Sequence, residues 1–220
     1  VTALKLAVRA FTQENDKIMI MKPVYYPFDA SIHVNHRVIV ECPLIFNNNS
    51  YSCDFDLFER TIQENNIKMF ILCNPHNPIG KVWTRDELYQ IGMICKKYNV
   101  LVISDEIHMD FTYGQNKHIP FYNVDESFKD FSVICTAPSK TFNLAALQTS
   151  NIIIADEKLR HLFEIEKDAS GVTDPNIFGL DACEAAYTYG AKWVDELIEY
   201  LQGNINYMND FLQTSLPDLK

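Results

Sequence analysis

Val100-Leu101-Val102-Ile103-Ser104-Asp105-Glu106-Ile107-His108 begins with four consecutive apolar residues and closes on two carboxylates and an imidazole. A half-exposed strand would alternate apolar and polar side chains. An unbroken apolar run suits a strand covered on both faces, as in a parallel sheet packed between helices. Asp105 then stands where the buried run meets an edge, and a carboxylate in such a place needs a cation or hydrogen-bond donors. An N-cap or a structural ion pair would also satisfy it.

The same pattern recurs on either side. Lys17–Met21, Arg37–Glu41, Lys68–Cys73, Phe131–Cys135 and Asn151–Ala155 read with Val100–Ser104 as six strands rich in Ile, Val and Leu. Amphipathic helical patterns lie among them over Thr2–Thr12, Asp54–Asn65 and Thr84–Tyr98. Thr84 with Glu87 three residues later is a capping-box signal. Alternation of strands and helices predicts an α/β fold, with three α/β/α layers around a mostly parallel sheet. From Asp156 to Leu216 the pattern is mainly helical, with breaks expected near Gly171–Pro175 and near Gly203. Residues 1–202 are expected to form one large domain. Residues 203–220 are expected to start a helix leading into a further, smaller domain.

Composition narrows the function. The 220 residues carry a formal net charge of −10 and show no Lys/Arg cluster, which argues against a nucleic-acid surface. No segment approaches the roughly 20 apolar residues of a membrane-spanning helix, and no secretory leader is recognisable. The six cysteines include no CxxC pair, and several fall in apolar strands, as reduced thiols of a cytoplasmic protein would. The histidines have no metal-ligand spacing, so no metal is expected. Trp83 and Trp193 read as packing residues.

Two more blocks are unusual. Asn74-Pro75-His76-Asn77-Pro78-Ile79-Gly80 follows one strand, and Thr136-Ala137-Pro138-Ser139-Lys140-Thr141-Phe142-Asn143 follows another. Alone, the first is a turn and the second a surface lysine in a polar neighbourhood. Together with Ser104–His108, in this order and spacing, they resemble the pyridoxal-phosphate enzymes of the class I/II aminotransferase fold, known as fold type I. The match is best to the branch of carbon–sulfur lyases related to cystathionine β-lyase. It extends over essentially the whole chain.

The resemblance implies roles. Lys140 would hold the cofactor aldehyde as an imine and move protons at the substrate Cα. Asp105 would pair with the pyridine nitrogen and keep the ring cationic. Asn77 would donate to the phenolic oxygen. His108, in the place of a tyrosine common in aminotransferases, would stand near the same oxygen or simply pack. Tyr25, in Lys22-Pro23-Val24-Tyr25-Tyr26, would stack on the ring rather than Tyr26. Ser139, with Thr136 near it, would bind phosphate. Gln148 stands where an arginine often clamps the phosphate, and Ala146 where many relatives have glycine; the lyase-like branch tolerates the glutamine.

The implied activity is β-elimination on a sulfur amino acid, with aminotransfer on a small amino-acid substrate as the enzymatic alternative. A regulatory binding protein or an inactive truncated remnant is the non-enzymatic one. The fold implies a homodimer. The phosphate-cradling glycine turn is expected before Val1, and the carboxylate-binding arginine after Lys220, so the 220 residues alone are expected to be a poor catalyst.

Overall fold

In the computed structural model, which describes residues 1–172 and 174–217, the three expected layers are present. Strands β1 (Lys17–Lys22), β2 (Val38–Pro43), β5 (Met69–Cys73), β6 (Leu101–Asp105), β7 (Ser132–Thr136) and β8 (Asn151–Ile153) form one sheet in the order β2-β1-β5-β6-β7-β8. All pairings are parallel except that of β8, an antiparallel edge strand on β7. Strand order runs outward in opposite directions from the β1/β5 junction, the arrangement that opens a crevice at the carboxyl ends of the strands.

Alternation along each strand divides the core between the two faces. Met19, Phe70, Leu72 and Val102 point to one side, where they meet Phe58 of α3 (Phe55–Asn65) and Leu88 and Ile91 of α4 (Arg85–Lys97). Ile18, Ile20, Ile71 and Ile103 point to the other, against Leu4 and Val8 of α1 (Thr2–Phe11), Phe28 of α2 (Pro27–His33) and Phe163 of α6 (Glu157–Ala169). Burial on both faces is therefore the reason β6 shows no polar alternation.

Local signals start the helices as expected. Thr84 accepts from the Glu87 amide while the Glu87 carboxylate accepts from Thr84 N–H at 2.9 Å, completing the capping box of α4. Asp54 caps α3 by accepting from Leu57 N–H at 2.9 Å.

Three features differ from the sequence reading. The hairpin β3 (Ile45–Asn47) and β4 (Ser50–Ser52) was not foreseen; Asn48 and Asn49 turn it with φ of 50° and 57°, the left-handed pair of a type I′ turn. Helix α2 was also missed, because its seven residues are too few to display a helical period. The break expected at Gly203 is absent: α8 (Ala191–Ser215) runs through it, so no helix starts at 203. The break falls instead at Gly190, between α7 (Ile177–Tyr189) and α8. A Cβ there would lie 2.4 Å from both the Ala186 carbonyl oxygen and the Phe142 ring, so packing places the corner. The break near Gly171–Pro175 does occur, between α6 and α7. Asp218–Lys220, the end of the expected second domain, lie outside the described residues. Among the described residues no helix is long and apolar enough to cross a membrane.

Two helical glycines predict opposite outcomes. A Cβ on Gly92 would fall 2.1 Å from the fully buried Phe128 ring, so Gly92→Ala should destabilise by about 1–3 kcal/mol. Gly203 has open space around it, so Gly203→Ala should stabilise by roughly 0.5–1 kcal/mol. Chemical denaturation of the two variants measures both.

Candidate active site

Strands β1, β5, β6 and β7 all point the same way, so the segments that leave them collect at one edge of the sheet. Asp105 is the last residue of β6. Beside it, β7 ends at Thr136 and the chain turns through Ala137 into the single-turn helix α5 (Pro138–Thr141), which presents Ser139 and Lys140. Pro138 suits the first helical position, where no amide hydrogen bond is lost.

These residues border a cavity of about 360 Å³. Asp105, His108, Thr136, Ser139, Lys140 and Tyr25 all line it, and Gln148 stands at its margin. Tyr25 faces the cavity while Tyr26 is 77 % exposed. Asn77 is the exception. It borders a neighbouring cavity of about 430 Å³ between the Pro75–Gly80 turn, the His108 loop and Ile205 of α8. His108 lines both cavities and joins them.

The electrostatics of the floor are unusual. Protein atoms surround the Asp105 carboxyl, and its remaining surface is what faces the cavity. Burial pushes its pKa up to about 6, although the Ile107 amide, which donates to Oδ1 at 3.3 Å, the Val1 ammonium and, last, the Lys140 charge act in the opposite direction. Among the described residues this carboxyl forms no ion pair, although the Val1 ammonium and Lys140 both act on it. His108 is pushed down, first by burial and then by the Lys140 charge, so it stands neutral at neutral pH. The Cys73 thiol, at the end of β5, is pushed up to about 12 by burial and is no nucleophile. All six cysteines are free. Among the described residues no group of three or more His, Cys, Asp or Glu is placed to hold a metal ion.

Several supporting residues escaped the sequence reading. Glu106, 1 % exposed, accepts from Ser104 Oγ, Phe121 N–H and His118 Nε2, each at 2.9 Å, and so ties the far end of the 107–121 loop to the end of β6. Thr141 donates to Asp110 at 2.7 Å, fastening the helical turn of Lys140 to the loop of His108. Adjacency to Asp105 was the one available signal for Glu106; the partner of Thr141 is 31 residues away and had none. Trp83 packs as expected and donates its indole N–H to Cys73 O at 2.9 Å. Trp193 stacks on Phe142 yet stays 46 % exposed.

Residues 1–219 match the family model of aminotransferase class I and II. The chain belongs to that family. It is 44% identical over 220 residues to cystathionine beta-lyase PatB of Bacillus subtilis (strain 168), covering 100% of this chain and 57% of that protein. It is 35% identical to protein MalY of Escherichia coli (strain K12), covering 96% of this chain and 54% of the relative. Cystalysin from Treponema denticola, whose crystal structure contains a pyridoxal 5′-phosphate cofactor, superposes with a TM-score of 0.95 at 38% identity, covering 98% of this chain and 55% of cystalysin. The chain thus spans a little over half the length of the relatives it matches. The three-layer architecture expected from sequence is that of these fold type I proteins.

The Asp105 environment predicts a pH-dependent stability. A carboxyl whose folded pKa is raised holds its proton more tightly when folded, so its contribution is present below about pH 4 and lost as pH rises through about 6. Asp105→Asn removes that loss. The cofactor-free D105N chain should be up to about 3 kcal/mol more stable than the parent above pH 6, the gap closing towards pH 4. Urea titrations across that range measure it.

Proposed function

We propose that this cavity binds pyridoxal 5′-phosphate and that the protein catalyses β-elimination on a sulfur-containing amino acid. The observation that carries the proposal is a lysine amine and a half-buried carboxylate facing one cavity from the ends of adjacent parallel strands. The residues fit the cofactor. Asp105 is a half-buried acid with a raised pKa and no ion-pair partner among the described residues, and a protonated pyridine nitrogen would supply one. Tyr25 offers an aromatic face, and Ser139 and Thr136 offer hydroxyls at the same cavity. The name of the Bacillus subtilis relative, a cystathionine beta-lyase, supports the reaction class.

When bound, pyridoxal phosphate supplies an electron sink for the charge left at the substrate Cα once its proton is removed. The chain's own groups do the rest. Lys140 would hold the aldehyde, and its amine would take the proton from the substrate Cα. Asp105 would keep the ring nitrogen protonated. Tyr25 would cover the ring face and limit water. His108, at the junction of the two cavities, and the Asn77 amide, in the second, would serve the phenolic oxygen. Ser139 and Thr136 donate to phosphate. Aminotransfer would use the same residues, and family membership favours it as the second reading.

The 220 residues are proposed to be the large, cofactor-binding domain of a longer cytoplasmic protein. No arginine lines the cavity among the described residues, so the cation for the substrate carboxylate is assigned to the remaining half. A homodimer is inferred, supported by apolar side chains left outside on the helical segment: Phe178, Tyr189 and Tyr207 are 74 %, 82 % and 74 % exposed.

Addition of pyridoxal phosphate to the purified chain should give a visible absorption band. Borohydride reduction should then fix the label on Lys140 in peptide maps, and Lys140→Ala should abolish it. Label scattered over surface lysines would refute the site. With the intact protein and a sulfur amino acid, thiol and pyruvate formed without a keto-acid acceptor identify elimination. A product that requires the acceptor identifies transfer instead.

A further inference from the structure

His76 stands in the turn after β5 and takes no part in the proposed chemistry. It is 1 % exposed. Its amide donates to Lys81 O at 2.8 Å and its carbonyl accepts from Gly80 N–H at 2.9 Å, so the 76–81 turn closes on His76 itself. Its ring reaches across 53 residues, with Nε2 2.9 Å from Pro23 O. A carbonyl can only accept, so Nε2 carries the proton and Nδ1 is bare. Nδ1 is buried and has no partner. Burial, with the Lys81 charge, pushes the imidazole down to about 4 despite the Pro23 contact, so the neutral ring makes this bond throughout the neutral range.

The position of this bond gives it meaning. Pro23 follows the last residue of β1, and Tyr25 lies two residues further on; Asn77 follows His76 directly. The β1–β5 ladder ends at the pair Ile20 and Ile71, before either turn begins. Among the described residues, the His76–Pro23 contact is the one hydrogen bond between segments 22–28 and 74–81. Behind the imidazole, Trp83 presents its ring edge-on at 5.7 Å and is itself pinned by its bond to Cys73 O. The histidine is therefore a strut with a fixed base.

We propose that His76 is a positioning residue that sets the distance between the turn carrying Tyr25 and the turn carrying Asn77. The ring that covers the cofactor and the amide that meets its edge thereby stay in register. The inference rests on the reading that the cavity binds pyridoxal phosphate. His76 touches neither cofactor nor substrate in this role and acts through Pro23.

The test uses the intact protein, stripped of cofactor and titrated with pyridoxal phosphate, with visible absorbance and visible circular dichroism recorded together. His76→Phe keeps a flat ring but removes the donor. His76→Gln restores a donor near the Nε2 position. H76F should bind the cofactor on the order of tenfold more weakly, with a smaller dichroic signal per bound cofactor. H76Q should recover both. Parent-like affinity and dichroism in H76F would overturn the proposal. So would an H76Q variant as defective as H76F, which would make ring packing the whole role. If H76F does not fold, His76→Asn, whose shorter amide stops short of Pro23, is judged by the same two readouts. A parent protein that takes up no pyridoxal phosphate would instead refute the cofactor reading itself. In the parent holoenzyme, nitrogen-15 spectra should show the His76 proton on Nε2 at neutral pH; the other tautomer would also overturn the proposal.

Discussion

Burial of both faces of β6 is the constraint on which this structure depends. Val102 and Ile103 feed opposite cores, and the one polar side chain inside the strand before its end, Ser104, is buried and hydrogen-bonded to Glu106, so no charged group leaves the strand sideways. The carboxyl end is the first place where the chain can present charge, and Asp105 stands there. Neighbouring strands are parallel, so each ends on the same edge and delivers its own turn to the same crevice. Lys140, Asp105 and Tyr25 meet without being near one another in sequence because three strands share one direction.

Around that edge, the fixings are side-chain hydrogen bonds, some to other side chains and some to backbone, rather than large apolar contacts. Glu106 closes the 107–121 loop through Ser104, Phe121 and His118. Asp110 holds Thr141, next to Lys140. His76 holds Pro23. Each is buried or half-buried, and each would leave an unsatisfied group if removed, at a cost of about 1–3 kcal/mol. Such bonds fix position more sharply than packing, which suits a site whose reacting atoms need close alignment.

Asp105 shows how site and stability oppose one another. Its burial raises the pKa, which weakens the cofactor-free fold at neutral pH and leaves a place for a cation. A ligand that brings positive charge to this floor relieves that strain, so binding and folding are linked. The exposed aromatic residues of α7 and α8 reflect the same economy at larger scale: apolar surface that the described residues leave uncovered.

Strand positions, the capping box of α4 and the three chemical blocks were legible from local pattern, because burial on two faces and side-chain capping leave a mark within a few residues. The helix corner was not. Glycine at 203 looked like a breaker, yet it lies in open solvent where a helix tolerates it; Gly190 breaks the run because Phe142, 48 positions earlier, occupies the space a side chain would need. The hairpin turned on two asparagines whose left-handed backbone a sequence only permits. Asn77 was expected to meet a cofactor alongside Lys140, but only the folded chain shows it facing a second cavity joined to the first through His108. By itself the sequence determined which segments are buried and which residue types stand at the strand ends, since these follow from side-chain type and short-range period. Tertiary structure alone decided which distant residues hold the site in place, because Glu106–His118, Asp110–Thr141 and His76–Pro23 are meetings in space that no local pattern encodes.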